Sequence, residues 1–283
     1  MSPDSSLAGR LVVCPTPIGN LGDVTLRVLE TLGSADVVAC EDTRRTRVLL
    51  ERHGIVGRGL VSFHEHNEAA RAQELVERMR EGLGVALVSD AGMPLVSDPG
   101  FALVHAALAV DLPVEVLPGP SASLTALVAS GLPAERFRFV GFLPRKAAEL
   151  ERVLSDAPET LVAFESPGRL AATLRTLATL DPTRPAAVCR ELTKLHEEVR
   201  RASAAELAAH YAEHPPRGEI VVVVGAAAPQ QVAREEAVAA LRALVEAGAR
   251  ARPAAKVIAG LTGVGANELY RELTTIEPMA RNT

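Results

Sequence analysis

"VVACEDTRRTRVLL", residues 37–50, decides how the whole chain is read. It opens as an apolar, β-rich run and turns at once into two acids, then three arginines within four positions. Two readings compete. In the first, Glu41 and Asp42 open a helix, because acids favour the positive end of a helix dipole, and Arg44, Arg45 and Arg47 form a solvated face. In the second, the same residues form a reactive edge beside a polyanion. Either way a short buried strand runs directly into a helix.

The pattern recurs outward from this stretch. LVVC (11–14), LVSF (60–63), VALVS (85–89) and VEVL (114–117) read as strands. TLRVLETL (25–32), DTRRTRVLLERHG (42–54), EAARAQELVERMREG (68–82) and GFALVHAALA (100–109) read as the helices between them. Repeated β-α alternation predicts a largely parallel sheet with helices on both faces. PGPSASLTALVASG (118–131) closes this region, with Ser121 as helix cap and Gly131 as stop.

A second series of strands follows at 137–143, 160–165, 186–192 and 219–225. Ser166 and Pro167 mark the start of one intervening helix. Residues 196–211 read as a short strand, then a helix capped by Ser203. A mixed sheet is expected here. AAAPQQVAREE (226–236) reads as a linker, and three short helices follow it. Their VIAGLTGVGANELYREL (257–273) has helix-turn-helix spacing, which an ordinary helical hairpin shares. The expected architecture is two α/β domains, 10–132 and 133–227, and a small helical module at 232–283.

Bulk properties narrow the function. The formal net charge is −5, so any nucleic-acid contact must come from a local patch. Of 30 basic residues only Lys146, Lys194 and Lys256 are lysines. Guanidinium groups suit bidentate phosphate contact, although an Ala- and Arg-rich genome gives the same bias. Cys14, Cys40 and Cys189 form no CxxC pair, which argues against a zinc site or disulfide framework. MSPDSSLAGR has no apolar signal core, and no run approaches the ~20 residues of a membrane span. A cytoplasmic protein without a membrane partner is expected.

Binding sites in open parallel sheets lie at the carboxyl ends of strands. Four loops rich in Gly, Pro and small polar residues fall there: PTPIGNLGD (15–23), FHEHNE (63–68), SDAGMPLVSDPG (89–100) and PGPSAS (118–123). Four such loops on one edge predict a pocket. The first loop is neither a P-loop nor GxGxxG, which disfavours a nucleoside triphosphate or a dinucleotide. Asp90 and Asp98 oppose phosphate and favour an amine, a sulfonium or ribose hydroxyls. No GxSxG is present, and His64 and His66 lack metal-ligand spacing.

PTPIGNLGDVTLR, CEDTRRT, SFHEHNE, VSDAGMPLVSDPG, PGPSA, FVGFLPRK, FESPGRL and RELTKLHEE occur in order between residues 11 and 225. Together they closely resemble the ribosomal RNA small subunit methyltransferase I family. That family lies within the tetrapyrrole methylase-like class of S-adenosylmethionine-dependent methyltransferases. The resemblance implies 2′-O-methylation of a cytidine in the decoding region of 16S ribosomal RNA, with the small ribosomal subunit or its RNA as partner. It also implies a two-domain fold, S-adenosylmethionine bound between the domains, and a homodimer. Carried over loop by loop, it points to Pro17, Ile18, Asp90, Met93, Ser121 and Ala122 as cofactor contacts, joined by Phe164, Leu192 and Glu219 from the second domain. As bland alternatives, Ser121 is only a cap and Phe164 only core.

Ribose methylation requires alignment of donor and hydroxyl and removal of a weakly acidic proton. Glu41, Asp42 and His64 are candidate bases, and His66, Glu165 and Glu191 also lie at strand ends; the sequence does not choose among them. Arg44, Arg45, Arg145, Lys146, Arg169 and Lys194 are candidate phosphate contacts, as is Arg47. Such contacts position RNA without reading its sequence. The chain has no Trp, six Phe and two Tyr, which argues against a base-stacking platform. Two rivals remain: a small-molecule methylase of tetrapyrrole or diphthine type, and a ribosome-binding protein without catalysis.

Overall fold

The structure is a computed structural model that describes residues 7–56, 59–227 and 234–275. Most of the expected linker, 228–233, lies outside the described residues, as does 276–283. The chain divides into two compact units, Met1–Ala226 and Ala227–Thr283.

Apolar runs of three or four residues build the first sheet: β1 (Leu11–Cys14), β2 (Val37–Cys40), β3 (Gly59–Ser62), β4 (Val85–Val88) and β5 (Val114–Val116). Their order is β3-β2-β4-β1-β5, with every pairing parallel. The three inner strands are buried at every residue, because a parallel sheet is covered on both faces. Alternation assigns the faces. Val13 and Leu87 pack under α3 (Glu68–Arg80) and α4 (Phe101–Leu108), through Leu75, Met79 and Leu103. Val12 and Cys14 pack under α1 (Leu26–Ser34) and α2 (Thr43–Arg52), through Val28, Leu32, Leu49 and Leu50.

The second sheet contains β6 (Phe137–Phe142), β7 (Thr160–Glu165), β8 (Pro185–Arg190), β9 (Glu198–Ser203) and β10 (Ile220–Val224), in the order β6-β7-β10-β8-β9. Only β6 and β7 run parallel, so the sheet is mixed as expected. One face carries α6 (Ala147–Ser155), α7 (Pro167–Leu180) and α8 (Ala204–Glu213). Ser203 forms a full capping box with Glu206. The other face packs against the first domain: Val162, Cys189, Val221 and Val223 meet Ile18 and, from α5 (Ala122–Ser130), Ala126 and Leu127. Helix α5, which follows the last strand of the first sheet, thus packs on the second.

Arg184, just before β8, is 2% exposed. Its guanidinium donates to the Leu154 and Gly225 carbonyls, tying α6 to the end of β10. Arg184→Ala is expected to lower stability by about 2–3 kcal/mol, because two buried carbonyls lose charged donors. A urea melt checks this; a loss within about 0.5 kcal/mol, the range of an ordinary surface change, would overturn it.

The second unit holds α9 (Arg234–Glu246), α10 (Ala251–Thr262) and α11 (Ala266–Thr275) around Val238, Leu241, Ile258 and Leu269. The turn from α10 to α11 contains left-handed Gly263. Glu268 and Glu272 of α11 are paired with Arg234 of α9. Two acids of the second helix of the expected helix-turn-helix are therefore engaged within the module.

Candidate functional site

Asp42 begins α2. Its carboxylate accepts the Arg44 backbone N–H at 2.8 Å and clasps the Arg44 guanidinium at 3.0 and 2.7 Å. Thr46, Leu49 and Leu50 face inward, and Arg44, Arg45 and Arg47 face out. The hydrogen bonds from Arg44 hold the Asp42 carboxyl down at about 2. A carboxylate this acidic and this engaged is a poor proton acceptor, so Asp42 is a helix cap. Glu41, one residue earlier, is different. Burial and the neighbouring Asp90 carboxylate push its carboxyl upward.

The loops after the first-sheet strands and the face of the second sheet enclose a cavity of about 350 Å³. Ile18, Met93, Ser121, Ala122, Phe164, Leu192 and Glu219 line it. Pro17 and Asp90 do not; they line a neighbouring hollow of about 240 Å³ together with Arg45. The two spaces are divided by a backbone bridge in which Thr16 and Gly92 exchange N–H···O bonds, both 2.9 Å. Pro17 and Ile18, and likewise Asp90 and Ala91, contribute one residue to each side.

Ser121 stands at the N-terminus of α5, yet its hydroxyl makes no capping bond. It contacts the Ser123 hydroxyl at 3.1 Å instead. Both hydroxyls line the cavity. Phe164 and Phe142 meet edge to face with centroids 5.5 Å apart and form an aromatic wall. Glu165 is buried on the same side, accepting from the Ser166 N–H at 2.8 Å and the Thr173 hydroxyl at 2.6 Å.

Asp98 lines the cavity where it approaches the acidic edge. Burial first, then the charge of Glu41, raises its carboxyl to about 6. Sequence reading took Asp98 as an acid that disfavours phosphate, and did not count it among the candidate bases. It also passed over Phe142, Ser166 and Gly218. Asp98 could have been found from its repeat of the Ser-Asp pair at 89–90; Phe142 and Gly218 give no such signal.

Opposite the first-strand loop stands the turn after β8. Lys194 bridges Glu191 at 2.8 Å and Glu219 at 3.0 Å. Bonds from Lys194 and the Glu219 N–H hold the Glu191 carboxyl below its ordinary value. Gly19 is needed here: a Cβ would lie 2.5 Å from Lys194 Cγ and 2.9 Å from the Leu192 carbonyl. Leu95, Ser97, Glu191 and Thr193 all have positive φ. Strain in non-glycine residues persists where surrounding structure enforces it, commonly at ligand clamps.

The expected cationic surface divides. Arg169 donates to the Leu143 carbonyl at 3.0 Å and the Pro144 carbonyl at 2.5 Å, and lies 3.4 Å from Glu165. Its guanidinium builds the corner between β6 and α7 and is not free for phosphate. Lys194 is likewise engaged in the cavity rim. Arg44 and Arg45 stand on the acidic edge, and Arg145 and Lys146 are exposed before α6. His64 follows β3, and its backbone N–H donates to the Asn67 side chain at 2.9 Å. The cavity lining contains no Arg or Lys and three acids, Asp98, Glu165 and Glu219. It suits an apolar ligand with a cationic or hydroxyl-bearing part, not a phosphate.

A family model described as Tetrapyrrole (Corrin/Porphyrin) Methylases matches residues 10–208. A ribosomal RNA small subunit methyltransferase I from Micromonospora olivasterospora is 47% identical over 277 residues, covering 95% of this chain and 88% of the relative. One from Mesorhizobium japonicum is 47% identical over 282 residues, covering 97% and 95%. Among solved structures, a cobalt precorrin-4 methyltransferase superposes with a TM-score of 0.58 at 18% identity, covering 80% of this chain and 98% of the other. Uroporphyrin-III C-methyltransferase from Thermus thermophilus, complexed with S-adenyl homocysteine, gives 0.53 at 24% identity, covering 76% and 97%. At these identities the structural likeness speaks for the fold.

Proposed function

This chain belongs to the tetrapyrrole methylase family and, within it, to the ribosomal RNA small subunit methyltransferase I group; from that premise we propose that it methylates small-subunit ribosomal RNA with S-adenosylmethionine. The observation that carries the reading is 47% identity to proteins of that name over nearly their whole length. The reaction is transfer to a cytidine ribose 2′-hydroxyl in the decoding region.

The donor fits the chemistry of the 350 Å³ cavity. Ile18, Phe164 and Leu192 offer apolar walls for an adenine, Ser121 and Ser123 offer hydroxyls, and the acids suit a cationic sulfonium. S-adenosylmethionine, when bound, supplies an electrophilic methyl group. The chain's own part is to hold the ribose, exclude water and accept the proton of the 2′-hydroxyl. Asp98 is the acceptor, with Glu41 beside it keeping its carboxyl basic.

Residues 10–132 supply the loops, 133–227 close the cleft, and 232–283 form an auxiliary module. The protein acts in the cytoplasm, where ribosomal subunits are. Among the described residues no helix is long and apolar enough to cross a membrane. The active form is a homodimer, supported by exposed Val116 on β5 and exposed Leu124 and Val128 on α5. Such apolar exposure marks association surfaces.

The test is transfer of labelled methyl from S-adenosylmethionine to small subunits from cells lacking the gene. Ribose methylation is then mapped by resistance to alkaline cleavage. One new 2′-O-methylcytidine is expected. Cofactor binding without transfer to RNA would favour a small-molecule methylase, and no cofactor binding would favour a non-catalytic binder. Arg44→Ala is expected to weaken transfer roughly tenfold, as for a lost phosphate contact, with cofactor affinity unchanged. Its guanidinium is 87% exposed on the rim and touches no cavity residue. Loss of cofactor binding in this variant would overturn that assignment.

A further inference from the structure

We propose that the 240 Å³ hollow beside the cofactor cavity receives the base of the nucleotide being methylated, and that Asp90 and Arg45 read its edge as cytosine. This rests on the reading of the protein as an RNA ribose methylase, and adds the site that selects the base. Sequence reasoning assigns Asp90 to the cofactor and Arg45 to phosphate; the fold brings the two together in this hollow.

The walls of the hollow are apolar: Pro17, Leu21, Val48 and Leu49. Its three hydroxyls are engaged by backbone. Thr16 donates to the Ser89 carbonyl at 3.0 Å, Thr46 to the Asp42 carbonyl at 3.3 Å, and Ser89 to the Gly92 carbonyl at 3.2 Å. The polar side chains left with bonding capacity are Arg45 and Asp90. They face each other at 3.5 Å, a loose pair, with side chains 62% and 20% exposed. Asp90 is held from behind: one carboxylate oxygen accepts the Asp42 N–H at 3.0 Å, and the other is turned to Arg45. A hollow with aliphatic walls, one fixed acceptor and one adjacent donor is a base-binding arrangement.

The edge chemistry selects the base. Cytosine presents an amino donor beside ring N3 and O2 acceptors, so the amine meets Asp90 and the acceptors meet Arg45. Carboxylates recognise the cytosine amine in this way. Uracil presents an acceptor where cytosine has the amine, which would set a carbonyl against the Asp90 carboxylate. The position also suits the reaction. Consecutive residues Pro17–Ile18 and Asp90–Ala91 line the two spaces back to back, so a base in one leaves its ribose at the dividing edge, next to Asp98. An enzyme that acts on a nucleotide taken out of its stack needs such a receiving pocket.

The test uses full-length protein and small subunits carrying either cytidine or uridine at the nucleotide the wild type methylates. Asp90→Asn keeps an acceptor for the Asp42 N–H but adds a donor toward the base. It is expected to lose roughly 10- to 100-fold on cytidine and to collapse the preference over uridine. Cofactor affinity, measured by equilibrium dialysis, should stay within about twofold. Val48→Trp fills the slot from an exposed helical position and is expected to abolish transfer to both RNAs with cofactor affinity and melting temperature unchanged. An unchanged cytidine-to-uridine ratio in Asp90→Asn, or full activity in Val48→Trp, would overturn the proposal. A large loss of cofactor affinity in Asp90→Asn would also overturn it and return Asp90 to the cofactor. A wild-type protein that methylates no RNA removes the functional reading itself, and this inference with it.

Discussion

Asp98→Asn is expected to lower methyl transfer to RNA by about 10²–10⁴-fold, the usual worth of a positioned general base, while leaving the protein more stable. The two effects share one cause. Burial and the charge of Glu41 raise the Asp98 carboxyl to about 6, well above its ordinary 3.8. A carboxylate in that range is the stronger base, but its ionisation opposes folding. The stability it allows is fully present below about pH 3.8 and is lost as pH rises through about 6. Allowing for partial solvent screening, the penalty at neutral pH is on the order of 1–2 kcal/mol. Asparagine removes it, so the melting temperature at pH 7.5 should rise by a few degrees, and the gain should vanish near pH 4. In the wild type, single-turnover transfer should climb with pH through about 6 and then level. A variant that keeps half its activity, or a wild-type rate flat between pH 5 and 7, would remove Asp98 from the reaction.

Gly218→Val should produce the second large effect, on stability and cofactor binding together. Gly218 has φ +86°, where a β-branched residue is strained. A Cβ there would collide with the Glu191 carboxylate. That carboxylate accepts the Glu219 N–H at 2.9 Å and holds Lys194, so it cannot yield without opening the cavity rim. Backbone strain and overpacking add to about 2–4 kcal/mol of lost stability. Urea unfolding and equilibrium dialysis with S-adenosylmethionine check the two halves. A valine variant within about 0.5 kcal/mol of wild type would show that the Glu191 turn moves freely.

The strands were legible because inner strands of a parallel sheet must be apolar on both faces. LVVC, VVAC and VALV therefore stand out as unbroken runs, and each is buried throughout. Helix starts were legible where a single side chain makes the cap, as at Asp42 and Ser203. Ser121 sits at the cap position but makes no capping bond; the sequence gives the position and cannot say where the hydroxyl points.

Within the site, the loops were legible and the individual side chains less so. Ile18 and Met93 line the cavity, whereas Pro17 and Asp90 fall on the other side of the Thr16–Gly92 bridge. Neighbours along an extended backbone face opposite ways, so naming a loop does not say which of its residues a ligand meets. Arg169 misleads for another reason. Its acceptors, Leu143 and Pro144, lie 26 and 25 residues back along the chain, and only folding shows that its charge is spent on them.

The sequence by itself determined the two α/β series, the edge on which their loops gather and the family to which they belong. These follow from local periodicity, turn chemistry and contiguous motifs. Tertiary structure alone decided that Asp98 is buried beside the charge of Glu41, that Lys194 closes a rim, and that Asp90 and Arg45 share a second hollow. Burial, charge coupling and hydrogen-bond competition depend on distances between residues far apart in the chain, and only the packed fold sets those distances.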